Sequence, residues 1–345
     1  MGETMRAARL DKPGAALEIR EVPLPPPRPG GVRIRIEAAQ VLPFTHAVLG
    51  GAAPFELPVP YTPGSSAVGT VDAAGDDVFG LAAGQRVYLD PYLTSRVPGI
   101  DRAPLLIGWF GLNEAAAAPQ GVWRDGTFAE YAVWPAERVV PLGGLAGPVR
   151  LAPLTYLTIA YGALLRAELR PGQHLIVTGA TGNLGAAAVL VALAMGAGRV
   201  TAAGRNRQVL GELAAVDPRV TASALDDLAG TGADAAVDLV GGGITDAEPA
   251  RQALAGLRPG GTLVLAGGCL GTLELDYQTV LATELTVRGA FMAPPGAAFD
   301  LAAMIRAGTL RLDVIDSAIF PLERVGEAVT SAAGRRGTHY TVITP

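Results

Sequence analysis

Residues 174–185 read His-Leu-Ile-Val-Thr-Gly-Ala-Thr-Gly-Asn-Leu-Gly and run directly into the alanine-rich stretch 186–197. A short apolar strand, a glycine-rich turn and a helix start follow one another without a gap. This order is suited to holding a pyrophosphate on a helix N-terminus. In this reading Gly179 or Ala180 turns the strand, Gly182 lets backbone approach the phosphates, and Gly185 lets the helix lie close on the sheet. The free N–H groups and positive dipole end of the helix, from Thr181 through Asn183 and Leu184, supply the anion site. The spacing is G-x-x-G-x-x-G, with Ala180 standing where the strict G-x-G-x-x-G pattern has its first glycine.

Outward from the turn, strands alternate with helices. Strands are predicted at 174–178, 199–203, 219–221, 235–240, 261–266 and 285–290, and helices at 154–167, 183–196, 206–215 and 247–257. Pro259-Gly260-Gly261 is expected to stop one helix and start the next strand. Such alternation predicts an α/β unit with a parallel, doubly wound sheet. The second strand ends in Gly204-Arg205-Asn206-Arg207, and no carboxylate occurs between 200 and 211. Arg205 lies about 20 residues past the turn, where the ribose 2′ position is read. A guanidinium fork matches a 2′-phosphate, so NADPH is expected over NADH; solvated loop charges are the alternative. The ends of the other strands, Val240-Gly241-Gly242, Ala266-Gly267-Gly268 with Cys269, and Ala290-Phe291-Met292, are expected to line the same crevice.

Residues 1–150 have a different texture. Val32 to Ala38 alternates apolar and charged side chains, the period of a half-buried strand. Gly69 to Gly75, Arg86 to Leu89 and Gly126 to Val133 are further short strands, suggesting a small barrel-like β domain. The tail predicts a helix at 297–307, a strand at Val314–Phe320, a helix at Leu322–Ala333 and a last strand near Tyr340–Ile343. The tail is expected to pack back onto the first domain. The expected domains are 1–152 plus 291–345 and an inserted nucleotide domain, 153–290, with a cleft between them.

Composition narrows the function. A formal net charge of −5 does not point to nucleic acid or an anionic membrane as partner. One cysteine, Cys269, excludes an intrachain disulfide framework and fits a reducing, cytoplasmic compartment. No secretory signal pattern is visible, and the run 186–197 is too short to span a bilayer. No G-x-S-x-G, H-E-x-x-H or Walker pattern occurs.

Read together, several segments resemble the medium-chain dehydrogenase/reductase superfamily, which joins a GroES-like β domain to a Rossmann domain. They are Val32 to Ala39, Pro63 to Val71, Ala83 to Val87, Gly126 to Tyr131, Pro171-Gly172-Gln173 leading into the glycine turn, and Leu257 to Gly261. In zinc-bearing members Gly-His-Glu opens the segment that here reads Gly64-Ser65-Ser66. The early Cys and the nearby Asp of that family fall near Leu42 and Thr45, and the later Cys near Thr155 or Tyr156. The structural zinc lobe expected around 90–125 contains no cysteine. Leucine offers no ligand atom and neutral hydroxyls are poor zinc ligands, so neither zinc is expected. The zinc-free branches resemble quinone and enone reductases, although the Asn and Asp frequent in the quinone branch fall near Leu42 and Thr45.

Candidate groups for the chemistry are few. His46 lies in the loop that faces the nicotinamide in relatives; it is either a proton donor or a helix-surface histidine. Tyr156 is either a donor to a substrate oxygen or a core tyrosine, and Thr45, Ser65 and Thr155 are weaker hydroxyl candidates. Tyr61, Tyr92, Trp109, Phe110 and Phe291 are either walls of an apolar pocket or plain core, while His174 and His339 read as structural. The expected activity is a zinc-independent, NADPH-dependent reduction of an activated C=C (enone) or a quinone, on a small apolar or conjugated substrate. Carbonyl or imine reduction is the alternative enzyme, and an idle NADPH-binding sensor or structural protein the alternative class. Leu285 to Ala290 as an edge strand would suit a homodimer.

Overall fold

The computed structural model describes residues 2–52, 55–94 and 102–345. The chain divides into two units. One is Met1–Thr155 with Asp316–Arg335 and Tyr340–Pro345; the other is Tyr156–Ile315 with Arg336–His339.

In the first unit, β3 (Gly31–Val41) is central. Val32, Ile34 and Ile36 are buried, while Arg33, Arg35 and Glu37 alternate outward. The unit also contains the antiparallel hairpin of β1 (Thr4–Arg9) and β2 (Glu18–Pro23), and the short helix α1 (Thr45–Leu49). Next come β4 (Ala67–Ala74), β5 (Arg86–Leu89), and the two-residue strands β6 (Tyr92–Leu93), β7 (Leu105–Leu106) and β8 (Phe110–Gly111). Helix α2 (Ala117–Val122), β9 (Tyr131–Pro135), β10 (Val139–Pro141) and helix α3 (Pro148–Leu151) complete the N-terminal part. The main sheet runs β10-β5-β4-β3-β18-β17, where β17 is Asp316–Pro321 and β18 is His339–Thr344. Residues 31–35 of β3 pair with β9 and residues 39–41 with β18, so one strand edge serves two partners. Register shifts at Arg33/Ile34 and Ile36/Ala38 mark the bulges that bend it.

The second unit is a six-stranded parallel sheet. Its strands are β11 (His174–Thr178), β12 (Arg199–Ala203), β13 (Val220–Ser223), β14 (Ala233–Asp238), β15 (Leu257–Leu265) and β16 (Thr286–Gly289), in the order β13-β12-β11-β14-β15-β16. Helices α4 (Leu154–Arg166), α5 (Asn183–Ala194), α6 (Arg207–Val216), α7 (Glu248–Ala255), α8 (Tyr277–Thr283) and α9 (Ala297–Arg306) accompany it. The chain reverses direction of travel across the sheet between β11 and β14, the switch point at which such sheets bind ligands. No helix of the described residues is long and apolar enough to cross a membrane.

Three expectations are corrected. Residues 291–315 fold with the second unit, not the first. Tyr161 on α4 donates to Asp300 on α9 at 3.2 Å, and a Cβ on Gly162 would stand 2.5 Å from the Met292 carbonyl oxygen. The strand expected at 126–133 begins only at Tyr131. Before it, the N–H groups of Gly126, Thr127 and Phe128 donate to the carbonyls of Thr62, Gly64 and Pro63, a loop contact that replaces a ladder. Strand β15 starts at Leu257 and not at Gly261, because α7 already ends at Ala255, with Gly256 as its C-cap. A register shift on β14 between Ala233 and Ala235 accommodates the proline-glycine pair.

Candidate functional site

Strand register puts the sheet's C-terminal ends in one row. Thr178 pairs with Ala203 and with Asp238, Asp238 with Leu265, and Leu265 with Gly289. Directly past these ends Gly179, Val240 and Gly267 meet: a Cβ on Gly179 would stand 2.9 Å from the Val240 nitrogen, and one on Gly267 2.1 Å from the Val240 carbonyl oxygen. Gly204 follows β12 and Gly241 follows Val240, whereas Cys269, Phe291 and Met292 lie two to four residues beyond the ends of β15 and β16. Gly241, Gly267 and Phe291 are exposed, and Gly204, Val240, Cys269 and Met292 are half-buried. The Cys269 sulfur accepts a hydrogen bond from the Gly271 N–H at 3.3 Å. Met292 has φ 56°, a left-handed conformation that costs a side-chain-bearing residue about 1–2 kcal/mol.

The turn is built as its sequence suggests, with the roles sharpened. Gly179, not Ala180, makes the turn, with φ 70°; Ala180 is fully buried. A Cβ on Gly185 would lie 2.1 Å from the Gly179 carbonyl oxygen, so the helix start presses on the turn itself. At Gly182 a Cβ would meet only the Gly179 oxygen at 3.4 Å, which leaves this face open. Gly182 is the N-cap of α5 and gives it no side-chain cap. Leu184 is half-buried in the first turn of α5.

Two candidate side chains have structural work. Asn183 is buried, and its amide donates to the carbonyls of Gly337 at 2.9 Å and His339 at 2.8 Å. The Gly337 N–H donates to the Thr181 carbonyl at 3.0 Å, so segment 336–339 is clipped to the turn. Asn206 caps α6 by accepting from the N–H groups of Gln208 and Val209 at 3.1 and 3.2 Å. The Asn183 amide nitrogen and the Asn206 side-chain oxygen are therefore engaged within the protein. Arg205 and Arg207 are exposed, and neither forms an ion pair among the described residues. The Thr181 side chain fills the space beside Gly204, 2.7 Å from where a Cβ would stand.

One group at these strand ends escaped the sequence reading. Asp238 is buried at the end of β14, and burial raises its carboxyl above the usual range. Thr178 donates its hydroxyl to Asp238 at 2.6 Å, and the Val240 N–H donates at 3.3 Å, partly offsetting that burial. A lone acid closing the apolar run Ala235-Ala236-Val237 was the available signal.

In the first unit, His46 is exposed on α1, whereas Thr45 is buried and its hydroxyl accepts from the Leu42 N–H at 3.1 Å. Ser65 and Ser66 are buried, and neither hydroxyl has a hydrogen-bond partner among the described residues. Thr155 shares a 2.9 Å hydrogen bond with the buried Tyr88. Tyr156, on α4, is buried. Tyr61 is fully buried core; Tyr92 lies under the Arg138 guanidinium at 5.9 Å. Trp109 and Phe110 do belong to an aromatic group, completed by two residues the sequence reading missed. Phe44 meets Trp109 edge-on at 5.2 Å, and Phe55 stacks on Phe110 at 4.6 Å. Phe44 immediately precedes α1, the helix that carries His46.

The donors at the positions named for zinc do not fit that ion. Leu42 is buried hydrocarbon, and Ser65 and Ser66 bring neutral hydroxyls. Among the described residues no group of three His, Cys, Asp or Glu side chains is arranged to hold a metal. Residues 95–101 of the lobe expected around 90–125 lie outside the described residues.

Comparison with known proteins agrees with this architecture. Residues 28–144 match the family described as alcohol dehydrogenase GroES-like domain, and residues 184–306 match zinc-binding dehydrogenase. An alcohol dehydrogenase of Rhizobium meliloti is 33% identical over 302 residues, covering 84% of each chain. An NAD-dependent alcohol dehydrogenase of Sulfurisphaera tokodaii is 29% identical over 258 residues, covering 68% of this chain and 71% of that one. The solved structure of a thermostable alcohol dehydrogenase from Pyrobaculum aerophilum superposes with a TM-score of 0.80 at 27% identity, covering 99% of this chain and 100% of the other. With a GroES-like unit, a 3-2-1-4-5-6 parallel sheet and a nucleotide turn at its switch point, the chain belongs to the medium-chain dehydrogenase/reductase superfamily, as an oxidoreductase that works with a nicotinamide cofactor.

Proposed function

We propose that the protein is a zinc-independent, NADPH-dependent reductase of an activated C=C, an enone or a quinone. The observation that carries this is the donor set. Where zinc-bearing relatives present thiolate, imidazole and carboxylate, this chain has Leu42, Ser65 and Ser66, leaving no Lewis acid to polarise an alcohol. A conjugated acceptor needs less: orientation, a donor at the developing enolate oxygen, and a proton. The residues present fit the cofactor. The open face at Gly182 and the uncapped start of α5 suit the pyrophosphate, and the unpaired Arg205 suits a 2′-phosphate. When bound, NADPH supplies the hydride. Phe44 is exposed and backed by the buried Trp109, which supports an apolar, conjugated substrate. His46 is exposed on α1 while Tyr156 is buried, which favours His46 as the proton donor.

The test is a panel of quinones, enones, aldehydes and imines, with NADPH consumption followed by absorbance and metal content measured on the purified protein. Turnover of an enone or quinone, undiminished by chelator, is expected. Turnover confined to alcohols and aldehydes in a zinc-loaded protein would overturn the reading, and NADPH binding without turnover would favour the idle sensor. A reducing cytoplasm suits the single thiol. The outer side of β16 is a sheet edge, and Leu270, Tyr277, Leu281 and Phe299 are exposed in the same unit, which supports a homodimer through that edge.

A further inference from the structure

The first unit contains a cavity of about 330 Å³ that uses no residue of the nucleotide turn or of the aromatic group. Its apolar part comes from the β1–β2 hairpin and the segment leading into β9: Met5, Val22, Pro23, Ala129 and Tyr131. Four arginines line it as well: Arg9, Arg20, Arg28 and Arg124. Burial of apolar surface beside cations is the pattern of a site for an amphipathic anion.

The charges are not equally satisfied. Arg20 is held between Asp11 and Glu18. Arg9 pairs with Asp125 at 3.0 Å and also donates to Thr62 and to the Pro60 carbonyl. Arg124 reaches the same Asp125 at 3.4 Å, and that carboxylate also accepts from the Thr62 N–H at 2.7 Å. Arg28 pairs with no carboxylate among the described residues. Its guanidinium lies 5.3 Å from the Trp123 ring centre and donates to the Val122 carbonyl. Of the seven groups, four cations meet three anions, and the excess positive charge sits at Arg28. Packing fixes this arginine: a Cβ on Gly31 would stand 2.9 Å from Arg28 Cγ and 3.2 Å from Trp123. With Nη1 given to the Val122 carbonyl, the Nε and Nη2 edge of this guanidinium keeps donors for a bidentate carboxylate.

We propose that this cavity binds a small monocarboxylate with an apolar body, its carboxylate on the edge of Arg28 and its chain along Val22, Ala129 and Tyr131. Single charge follows from the single uncompensated guanidinium. Size follows from the volume: at roughly 30 Å³ per atom-sized guest, about ten non-hydrogen atoms fit. Octanoate has that size and serves as the probe.

Calorimetric titration of the full-length protein with octanoate, alongside octanamide as the neutral counterpart, tests the proposal. Octanoate is expected to bind at least tenfold more tightly than octanamide and to perturb Trp123 fluorescence. Arg28→Gln is expected to abolish that preference while leaving NADPH affinity and the melting temperature unchanged. Val22→Trp, which fills the cavity from β2, is expected to block both ligands. Absence of octanoate binding, equal binding of the two ligands, or an Arg28→Gln protein that binds octanoate as before would overturn it. Loss of reductase activity has no bearing on this readout, so the two proposals fail separately.

Discussion

A single guanidinium distinguishes two cofactors that differ by one phosphate. Arg205 is exposed and unpaired by any carboxylate among the described residues, so its charge is available to a ligand. A hydrogen bond to a charged group contributes about 1.5–3 kcal/mol, so Arg205→Ala is expected to weaken NADPH binding roughly 10- to 100-fold. NADH affinity should stay constant; a fluorescence titration with both nucleotides checks this, and an equal loss for both would contradict the assignment. Asp238 gives a second expectation at this scale. Burial raises its carboxyl in the folded protein, so between the unfolded and folded values the native state holds more protons. Its contribution to stability is therefore full at acid pH and is lost as pH rises through the folded value. Asp238→Asn keeps an acceptor for Thr178 and Val240 but carries no charge. The variant is expected to be more stable than the parent by about 1 kcal/mol at alkaline pH and equal to it at acid pH, as read by thermal melts across pH.

At the scale of elements, the strand–turn–helix at 174–194 tolerates little added bulk. Gly185→Ala would drive a methyl into the Gly179 carbonyl oxygen at 2.1 Å. A loss of about 1–3 kcal/mol in stability and a weakened NADPH affinity are expected, measured by denaturant unfolding and titration. Strands β11 and β12 were legible to the residue, because their apolar runs are bounded by turn residues. The start of β9 was not, since Thr127 and Phe128 carry strand-like side chains but, with Gly126, spend their N–H groups on residues 62–64. The same limit applied to Asn183 and Asn206. Both stand beside a phosphate-type turn, yet one clips a segment more than 150 residues away and the other caps a helix.

At the scale of the molecule, the C-terminal ten residues serve both units. Strand β18 lies between β3 and β17, and residues 336–339 are clipped to the nucleotide turn through Asn183 and Thr181. Deletion of residues 336–345 removes an interior strand from one sheet and the partners of a buried amide from the other unit. Loss of a cooperative melt, followed by circular dichroism, is the expected outcome; a native-like transition would show that the clip is dispensable. Light scattering at micromolar concentration tests the edge-to-edge homodimer, which predicts twice the chain mass and a monomer when Val287 on β16 is replaced by Pro.

The sequence by itself determined the strand–turn–helix at 174–194, the alternation that makes a parallel sheet, and the absence of ligand side chains at positions 42, 65 and 66. These are local properties, fixed by hydrophobic period, by glycine placement and by which atoms a side chain possesses. Only the tertiary structure decided that 291–315 joins the nucleotide unit, that Phe44 and Phe55 complete the aromatic group, that Asp238 is buried beside Thr178, and that Arg28 lies unneutralised on Trp123. Each of these depends on a partner distant in the chain. Burial and pairing are properties of such contacts, and no local pattern carries them.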